Sequence, residues 1–310
     1  MSITMTGGMT FSGAFTIVPP PPPPSNKAIF GYGGDYLSIT NLVSNTGVVA
    51  TDTAGVGTGR NYLAAAGYGT DKAIFAYGQT ALNVRTSISN KVSNTGVVAT
   101  DTSGVGTART QVAGVGYGVD TAIFGYGTTG TVTSITNKVS NTGVVATDTS
   151  GVGTARSGPA AAIYGSSGQA IFGYGRPSGY VSTTNKVSNT GVVASDTTGV
   201  GTARSLLAAA GYGSDKAIFG YGSTTSGGTY WSVTNLVSNT GVVATDTTGV
   251  GTARTQLAAA GYGTDTAIFG FGSPGPGVTN LVSNTGVVAT NTAAVGSDKV
   301  GLAAASYGGV

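Results

Sequence analysis

Ser44-Asn45-Thr46-Gly47-Val48-Val49 is the stretch that decides the fold, because the chain repeats these six residue types five more times. The glycine of the motif lies at positions 47, 96, 143, 191, 241 and 286, so the repeat period is 45 to 50 residues. Regular self-similarity of this kind indicates that each repeat is one structural unit that packs against its neighbours.

Each unit contains four short segments with strand character and none with the 3.6-residue apolar period of a helix. In the second unit these segments are residues 63–69, 72–78, 88–93 and 96–102. The Asn and Gly of the repeated motif suit the positive φ angles of a tight hairpin turn, so consecutive segments should pair antiparallel. Four strands and this period are typical of a propeller blade, which predicts an all-β chain of four-stranded antiparallel blades.

The two ends of the repeat region complement each other. Residues 302–308 have the sequence of a first strand with no second strand after it, whereas residues 27–33 have that of a second strand with no first strand before it. Together they complete one unit, and a ring joined in this way leaves no open sheet edge at the join. The sequence therefore predicts a six-bladed β-propeller closed by pairing of the N- and C-terminal segments.

The layout of the repeats resembles that of Kelch-like propellers. In that family an arginine ends the loop between blades, an apolar second strand ends in glycine, and the repeats run to about fifty residues. The matching features here are arginines such as Arg60 and Arg109 and the recurring Ala-Ile-Phe-Gly-Tyr-Gly, and the resemblance covers residues 27–310.

Composition narrows the function classes. Charged residues make up 8 % of the chain, and its 11 acidic residues are all Asp, with no His and no Cys. Because general acids, nucleophiles and metal ligands are mostly His, Cys, Glu and Asp, we expect no enzyme activity, no cofactor and no metal. The 14 basic residues are not clustered, which argues against nucleic-acid binding. No basic residue precedes Lys27 and no apolar run reaches transmembrane length, so no membrane insertion is expected.

The loop between the second and third strands differs from unit to unit, while the rest of the unit is nearly constant. These loops carry aromatic and arginine residues outside the repeat pattern, namely Tyr36, Arg85, Arg176, Tyr180, Tyr230 and the single tryptophan, Trp231. Each loop follows two strand traversals, so it should emerge at the same end of the blade as the arginine-bearing loop between blades. Such residues on a rigid frame are typical of binding surfaces and form a candidate ligand-binding face. The alternative is that the loops vary because nothing constrains them.

Five units contain an Asp and an Arg eight residues apart. The pairs are Asp52 and Arg60, Asp101 and Arg109, Asp148 and Arg156, Asp196 and Arg204, and Asp246 and Arg254. In the sixth unit both members change, to Asn291 and Lys299. We interpret each pair as a buried or half-buried structural ion pair that fixes the loop between blades. The alternatives are a ring of Asp that ligates Ca²⁺ or of Arg that binds an anion, and spectator surface charges.

Residues 1–18 do not belong to the repeat and alternate strictly. Odd positions carry the apolar residues Ile3, Met5, Met9, Phe11, Phe15 and Ile17, and even positions carry mainly Thr and Ser. This alternation predicts a strand or hairpin with one apolar face, which needs a partner. We therefore predict an anchoring arm that docks on another subunit or assembly by strand addition. The alternative is an arm that folds back on the propeller or is disordered.

The six prolines at residues 19–24 predict a polyproline II spacer between the arm and a propeller domain of residues 25–310. An apolar arm, a proline spacer and a display domain together resemble proteins of bacteriophage particles, such as capsid decoration proteins, head fibres and tail fibres. The resemblance implies a non-enzymatic virion protein, assembled in the host cytoplasm, whose arm docks on the capsid or tail. Its propeller would project outward and contact a host-surface glycan or protein.

Two other function classes stay open. One is an intracellular scaffold, or an adhesin on the extracellular surface, that binds a protein partner through the variable loops. The other is a propeller enzyme, which composition disfavours. Copper-radical oxidases with a similar layout need His ligands and sialidases need Glu with an Arg triad, whereas this chain has neither His nor Glu.

Overall fold

The computed structural model describes residues 27–224, 228–275, 277–293 and 295–308. Regular secondary structure in these residues consists of β-strands alone. No helix among them is long and apolar enough to cross a membrane. The predicted arm with its anchor residues Ile3, Met5, Met9, Phe11, Phe15 and Ile17 lies outside the described residues, as does the predicted spacer at 19–24.

Twenty strands follow one another along the chain. They are β1 (Lys27–Gly33), β2 (Leu37–Val43), β3 (Ala64–Tyr68), β4 (Lys72–Ala76), β5 (Gln79–Ala81), β6 (Val84–Arg85), β7 (Ser89–Val92), β8 (Ala113–Tyr117), β9 (Thr121–Gly125), β10 (Thr136–Val139), β11 (Ala160–Tyr164), β12 (Gln169–Gly173), β13 (Thr184–Val187), β14 (Ala208–Tyr212), β15 (Lys216–Gly220), β16 (Thr234–Val237), β17 (Ala258–Tyr262), β18 (Thr266–Gly270), β19 (Thr279–Val282) and β20 (Ala303–Tyr307).

Small antiparallel sheets of three strands repeat along the chain. Sheet 1 contains β20, β1 and β2, sheet 2 contains β3, β4 and β7, and sheets 3 to 6 each contain three consecutive strands from β8 onward. The remaining strands, β5 and β6, form a two-stranded ribbon within the variable loop of sheet 2. The first three strands predicted for the second unit are thus confirmed as β3, β4 and β7.

The fourth segment of each unit is not a regular strand, so the prediction of four-stranded blades is wrong in this respect. In sheet 2 this segment meets β7 through two isolated bridges, Val92 with Val98 and Ser89 with Thr102. The register shifts by one residue between them. The Asn90 side chain fills the gap and donates to a backbone carbonyl of the fourth segment at 3.0 Å. An extra residue of this kind interrupts a ladder as a β-bulge does.

The hydrophobic core lies between neighbouring sheets. Tyr32 of β1 and Phe75 of β4 are both fully buried, and their rings meet edge to face with centroids 5.1 Å apart. Such a pair is worth about 0.5–1.5 kcal/mol beyond the burial of its area, and it recurs between the other neighbouring sheets. Gly31 makes room for this contact, because a Cβ there would lie 2.8 Å from the Phe75 ring.

The two terminal segments pair as predicted. β1 runs antiparallel to β20, with Lys27 opposite Tyr307 and Gly31 opposite Ala303. The first strands of successive sheets touch in the order β20, β3, β8, β11, β14 and β17, and β17 touches β20. The sheets thereby share two ends. The turn end carries the turn between the first and second strands and the Ser-Asn-Thr-Gly turn, and the loop end carries the variable loops.

Candidate functional site

The variable loops and the arginine-bearing segments lie together at the loop end, as the strand count predicted. The Gly33 amide donates to the Arg60 carbonyl at 2.9 Å, and equivalent bonds recur in the other five sheets. Asn61 and Gln79 also exchange two backbone hydrogen bonds of 3.0 Å. These bonds hold the base of each variable loop on the sheets.

Four of the six residues predicted for the ligand-binding face lie in the loops of sheets 4 and 5. Tyr230 and Trp231 are half-buried, and the Trp231 indole N–H donates to Thr224 Oγ1 at 3.2 Å. In sheet 4, the guanidinium of exposed Arg176 lies 5.9 Å from the ring centroid of Tyr180. The structure brings these residues together in pairs on two different sheets.

The other two predicted residues lie in the loops of sheets 1 and 2. Arg85 is half-buried on β6, and its Nε has no hydrogen-bond partner among the residues described. Tyr36 is half-buried with a left-handed φ of 58°. Burial, and after it the neighbouring Tyr36, raises the pKa of Tyr62. Tyr62 was not predicted as a site residue. It also belongs to a second feature of the loop end.

That second feature is a ring of backbone hydrogen bonds, the amide ring. Each amide donates to a carbonyl of the preceding sheet over 2.6 to 3.0 Å, and the last bond returns to the first residue. The ring members are Tyr62, Gln111, Gly158, Leu206, Gln256 and Gly301. All six have φ between 50° and 61°. Together with the starts of the first strands they line a cavity of about 110 Å³.

A third arrangement, the interunit clamp, joins neighbouring sheets around a buried arginine. Arg109 is fully buried and lies 4.3 Å from the ring centroid of Tyr77 in the preceding sheet. Its Nη2 donates to Asn137 Oδ1 at 2.7 Å, and Nη1 lies 3.9 Å from Asp148 Oδ1. Asp148 also accepts hydrogen bonds from Asn137 Nδ2 at 2.9 Å and from the Thr107 hydroxyl at 2.5 Å.

The clamp recurs at the other boundaries between sheets. The cations and the rings beneath them are Arg60 and Tyr32, Arg109 and Tyr77, Arg156 and Tyr126, Arg204 and Tyr174, Arg254 and Tyr221, and Lys299 and Phe271. A cation over an aromatic face gains about 2 kcal/mol when it is desolvated. Each clamp therefore ties the loop between two sheets to both of them.

The predicted ion pairs have the right residue types but the wrong partners. An Asp does not face the Arg eight residues after it; it faces the cation of the preceding unit. Three of these contacts lie within 4 Å and join Asp52 to Lys299, Asp148 to Arg109, and Asp246 to Arg204. In two further clamps, Asn90 bridges Asp101 and Arg60, and Asn185 bridges Asp196 and Arg156. Each contact therefore joins two neighbouring sheets, because the arginine side chain extends to the Asn and Asp of the following sheet.

Asn291 and Lys299 take part in different clamps, although they change together in the sequence. Lys299 donates to Asn41 Oδ1 and lies 3.1 Å from Asp52, so it replaces the arginine between sheets 6 and 1. Asn291 replaces the Asp that would face Arg254, and its side chain donates to Thr252 Oγ1 at 2.7 Å.

The clamp shifts the pKa values of its members. Burial raises the pKa of the Asp148 carboxyl, but hydrogen bonds from Thr107 and Asn137 outweigh it and keep this pKa below its usual range. The same balance lowers the pKa values of Asp52, Asp101, Asp196 and Asp246. Burial raises the pKa of Tyr77 to about 12 and lowers that of Arg109. The carboxylates are therefore charged acceptors at neutral pH.

Sequence reasoning missed the asparagines of the clamp. They are fully buried, and they are Asn41, Asn90, Asn137, Asn185, Asn235 and Asn280. The signal was an Asn at the same position of all six third strands, between Ser or Thr and Lys or Leu. An invariant polar residue in a buried strand needs hydrogen-bond partners. Within the described part of the chain, no group of three or more Asp side chains could hold a metal ion.

The turn end differs chemically from the loop end. Its cavity, of about 300 Å³, is lined by charged side chains of both signs, among them Lys72, Asp120, Lys216 and Asp265. The cavity under the amide ring has no charged residue in its lining.

One solved structure similar to this chain is that of YjhT, with a TM-score of 0.61 and 11 % sequence identity. The match covers 88 % of this chain and 98 % of YjhT. At this level of identity the similarity concerns the fold alone. No protein-family model matches the chain, and no curated protein matches it.

Proposed function

We propose that the six sheets are the blades of a closed six-bladed β-propeller. Three observations support closure: β1 pairs with β20, the first strand β17 touches β20, and the amide ring returns to Tyr62 after six bonds. The similarity in fold to YjhT over most of both chains is consistent with one continuous domain.

For this propeller we propose a display role, in which the N-terminal segment anchors the protein and the loop end faces outward. One observation carries the proposal. The chain enters β1 at Lys27, which pairs with Tyr307 at the turn end, whereas the variable loops lie at the loop end. The first described residue, Lys27, therefore lies at the end opposite to the loops. A partner bound by the arm would leave the variable loops free.

Binding without catalysis is the role that the site chemistry favours. A general acid or base works best with a pKa near the operating pH, whereas the clamp carboxylates have pKa values below their usual range. Their oxygen atoms accept hydrogen bonds from Thr and Asn within the clamps. The clamp carboxylates therefore stabilise the contact between sheets. The aromatic and arginine residues of the loops are the groups that we propose for recognition.

The partner that we propose for the arm is a subunit of a virion, a capsid or tail protein, so that the protein is assembled in the host cytoplasm and leaves with the particle. The proposed partner of the loop end is a host-surface glycan or protein. The alternative location is the extracellular surface of a cell, where the same geometry would make the protein an adhesin.

Attachment of the full chain to purified particles tests this proposal. Deletion of residues 1–18 should abolish co-sedimentation with the particle or assembly, while Trp231→Ala should leave it unchanged. Electron micrographs should show the protein at regular positions on the assembly. Unchanged attachment after the deletion would refute anchoring by the arm.

A further inference from the structure

The cavity enclosed by the amide ring has the chemistry of a small ligand site. Its lining includes Tyr62, Gln111, Leu206 and Gln256, whose side chains are all half-buried. The side-chain amides of Gln111 and Gln256 and the hydroxyl of Tyr62 make no hydrogen bond within the described part of the chain. The cavity therefore presents donors and acceptors that are not used by the fold.

The ring residues share a left-handed backbone conformation with the clamp tyrosines, such as Tyr32 and Tyr77. The left-handed region favours glycine, and Gly158 and Gly301 occupy the ring at sheets 4 and 1. A residue with a Cβ in this region costs roughly 1–2 kcal/mol, yet four of the six ring positions carry a large side chain.

The sequence varies at the same place. The ring residue stands two positions after each clamp cation, and the six ring residues are Tyr, Gln, Gly, Leu, Gln and Gly. The residue after it is apolar in all six units, and small first-strand residues follow. Variation in a ring of otherwise equivalent positions makes the cavity asymmetric, and the side chains of Leu206 and Tyr62 lie against Gly158 and Gly301.

The lining decides the class of ligand. No Asp, Lys or Arg lines the cavity, so a charged ligand would lose its hydration without gaining a partner. Amide groups form hydrogen bonds with hydroxyl groups in both directions, and a tyrosine ring offers an apolar face with a polar tip. We propose that the amide-ring cavity binds a neutral, hydroxyl-rich ring, the terminal sugar of an uncharged glycan.

This inference deepens the proposed recognition role of the loop end and rests on it. It assigns the first contact to Tyr62, Gln111 and Gln256, whereas the loop residues Tyr230 and Trp231 lie on one side, in the loop of sheet 5.

Saturation-transfer NMR with the full chain tests the inference. The probes are galactose, glucose, mannose and N-acetylglucosamine at millimolar concentration, with galacturonate as the charged match of galactose. We expect transfer to at least one neutral sugar and weaker transfer to galacturonate. Gln111→Gly and Gln256→Gly, which introduce the residue found at two other ring positions, should each weaken binding roughly tenfold, the value of one lost hydrogen bond.

Gln169→Ala at the turn end is the matched control and should leave binding unchanged. Binding that survives both glycine variants but is lost in Trp231→Ala would overturn the cavity assignment and leave the display role intact. Absence of transfer to every neutral sugar, or preferred binding of galacturonate, would overturn the ligand class. Particle attachment, measured separately, tests the display role.

Discussion

The clamp around Arg109 and the clamp around Arg254 differ in one sequence position and in little else. Both arginines are fully buried, both lie 4.3 Å from a tyrosine ring centroid, and both donate from Nε to a backbone carbonyl, at 2.9 and 2.8 Å. At the second boundary Asn291 stands where the first has Asp148. There the Arg254 Nη2 and the Asn280 Oδ1 atoms have no partner in the described structure.

The comparison separates two contributions to the clamp. Stacking and backbone acceptors hold the arginine without an acid, since Arg254 keeps both. Where the Asp is present, its negative charge orients the Asn side chain and the arginine, so that Nη2 donates to the Asn Oδ1, as from Arg109 to Asn137. A buried guanidinium is costly unless it is paired, so the clamp with Asn291 should be the weakest of the arginine clamps.

The largest expected effect is that of removing an arginine from a complete clamp. Arg109→Met should lower the free energy of unfolding by about 3–5 kcal/mol, because it leaves the Asn137 Oδ1 atom and Asp148 without their cation in a buried site. Arg254→Met should cost only about 1–2 kcal/mol, since its Nη2 has no partner to lose. Urea unfolding at pH 7 measures both. Equal losses would show that the Asp contributes nothing.

The second largest change in stability should come from restoring the missing carboxylate at position 291. Asn291→Asp should raise the stability by about 1 kcal/mol at pH 7, as Arg254 gains a charged acceptor. The pKa of this carboxyl should lie below its unfolded value of about 3.9, as it does for Asp148. The gain should therefore be complete above that value and be lost as the pH falls through the folded pKa. A gain that persists at pH 2 would rule out the charge as its cause.

The tyrosine of the clamp should contribute less. The Tyr126 hydroxyl donates to the Val152 carbonyl at 3.1 Å, and Tyr126→Phe should lower the stability by about 0.5–1.5 kcal/mol by removing this bond. Phe271 shows that the position accepts a phenylalanine beneath Lys299. Thermal unfolding followed by near-ultraviolet circular dichroism would detect the change. An unchanged melting temperature would show that Tyr126 stabilises the clamp through its ring alone and not through its hydroxyl group.

The smallest effect on stability should come from the loop end. Trp231→Ala removes a half-buried side chain whose indole N–H donates to Thr224. We expect a change within about 0.5 kcal/mol, as for ordinary surface substitutions. A loss of stability comparable to that of Arg254→Met would show that Trp231 stabilises the fold, and it would weaken the assignment of this residue to the binding face.

Local patterns were sufficient for part of the fold. The alternation and turn residues of 63–93 predicted β3, β4 and β7, and the incomplete units at the termini predicted the pairing of β1 with β20. They failed at the fourth segment, because the shift in register beside Asn90 depends on a side-chain hydrogen bond that alternation does not reveal. They also failed at the ion pairs, because the regular spacing of Asp and Arg within a unit does not show that the contact crosses to the neighbouring unit.

The sequence by itself determined the period, the order of the strands and the residue types of the clamp, because each of these follows from interactions within a unit of about fifty residues. Only the tertiary structure decided which Asp meets which Arg and which six amides form a ring. These contacts cross from sheet to sheet, so they depend on how the units are placed in space, and residues such as Tyr62 and Gly301, which lie far apart in the sequence, become hydrogen-bonded neighbours.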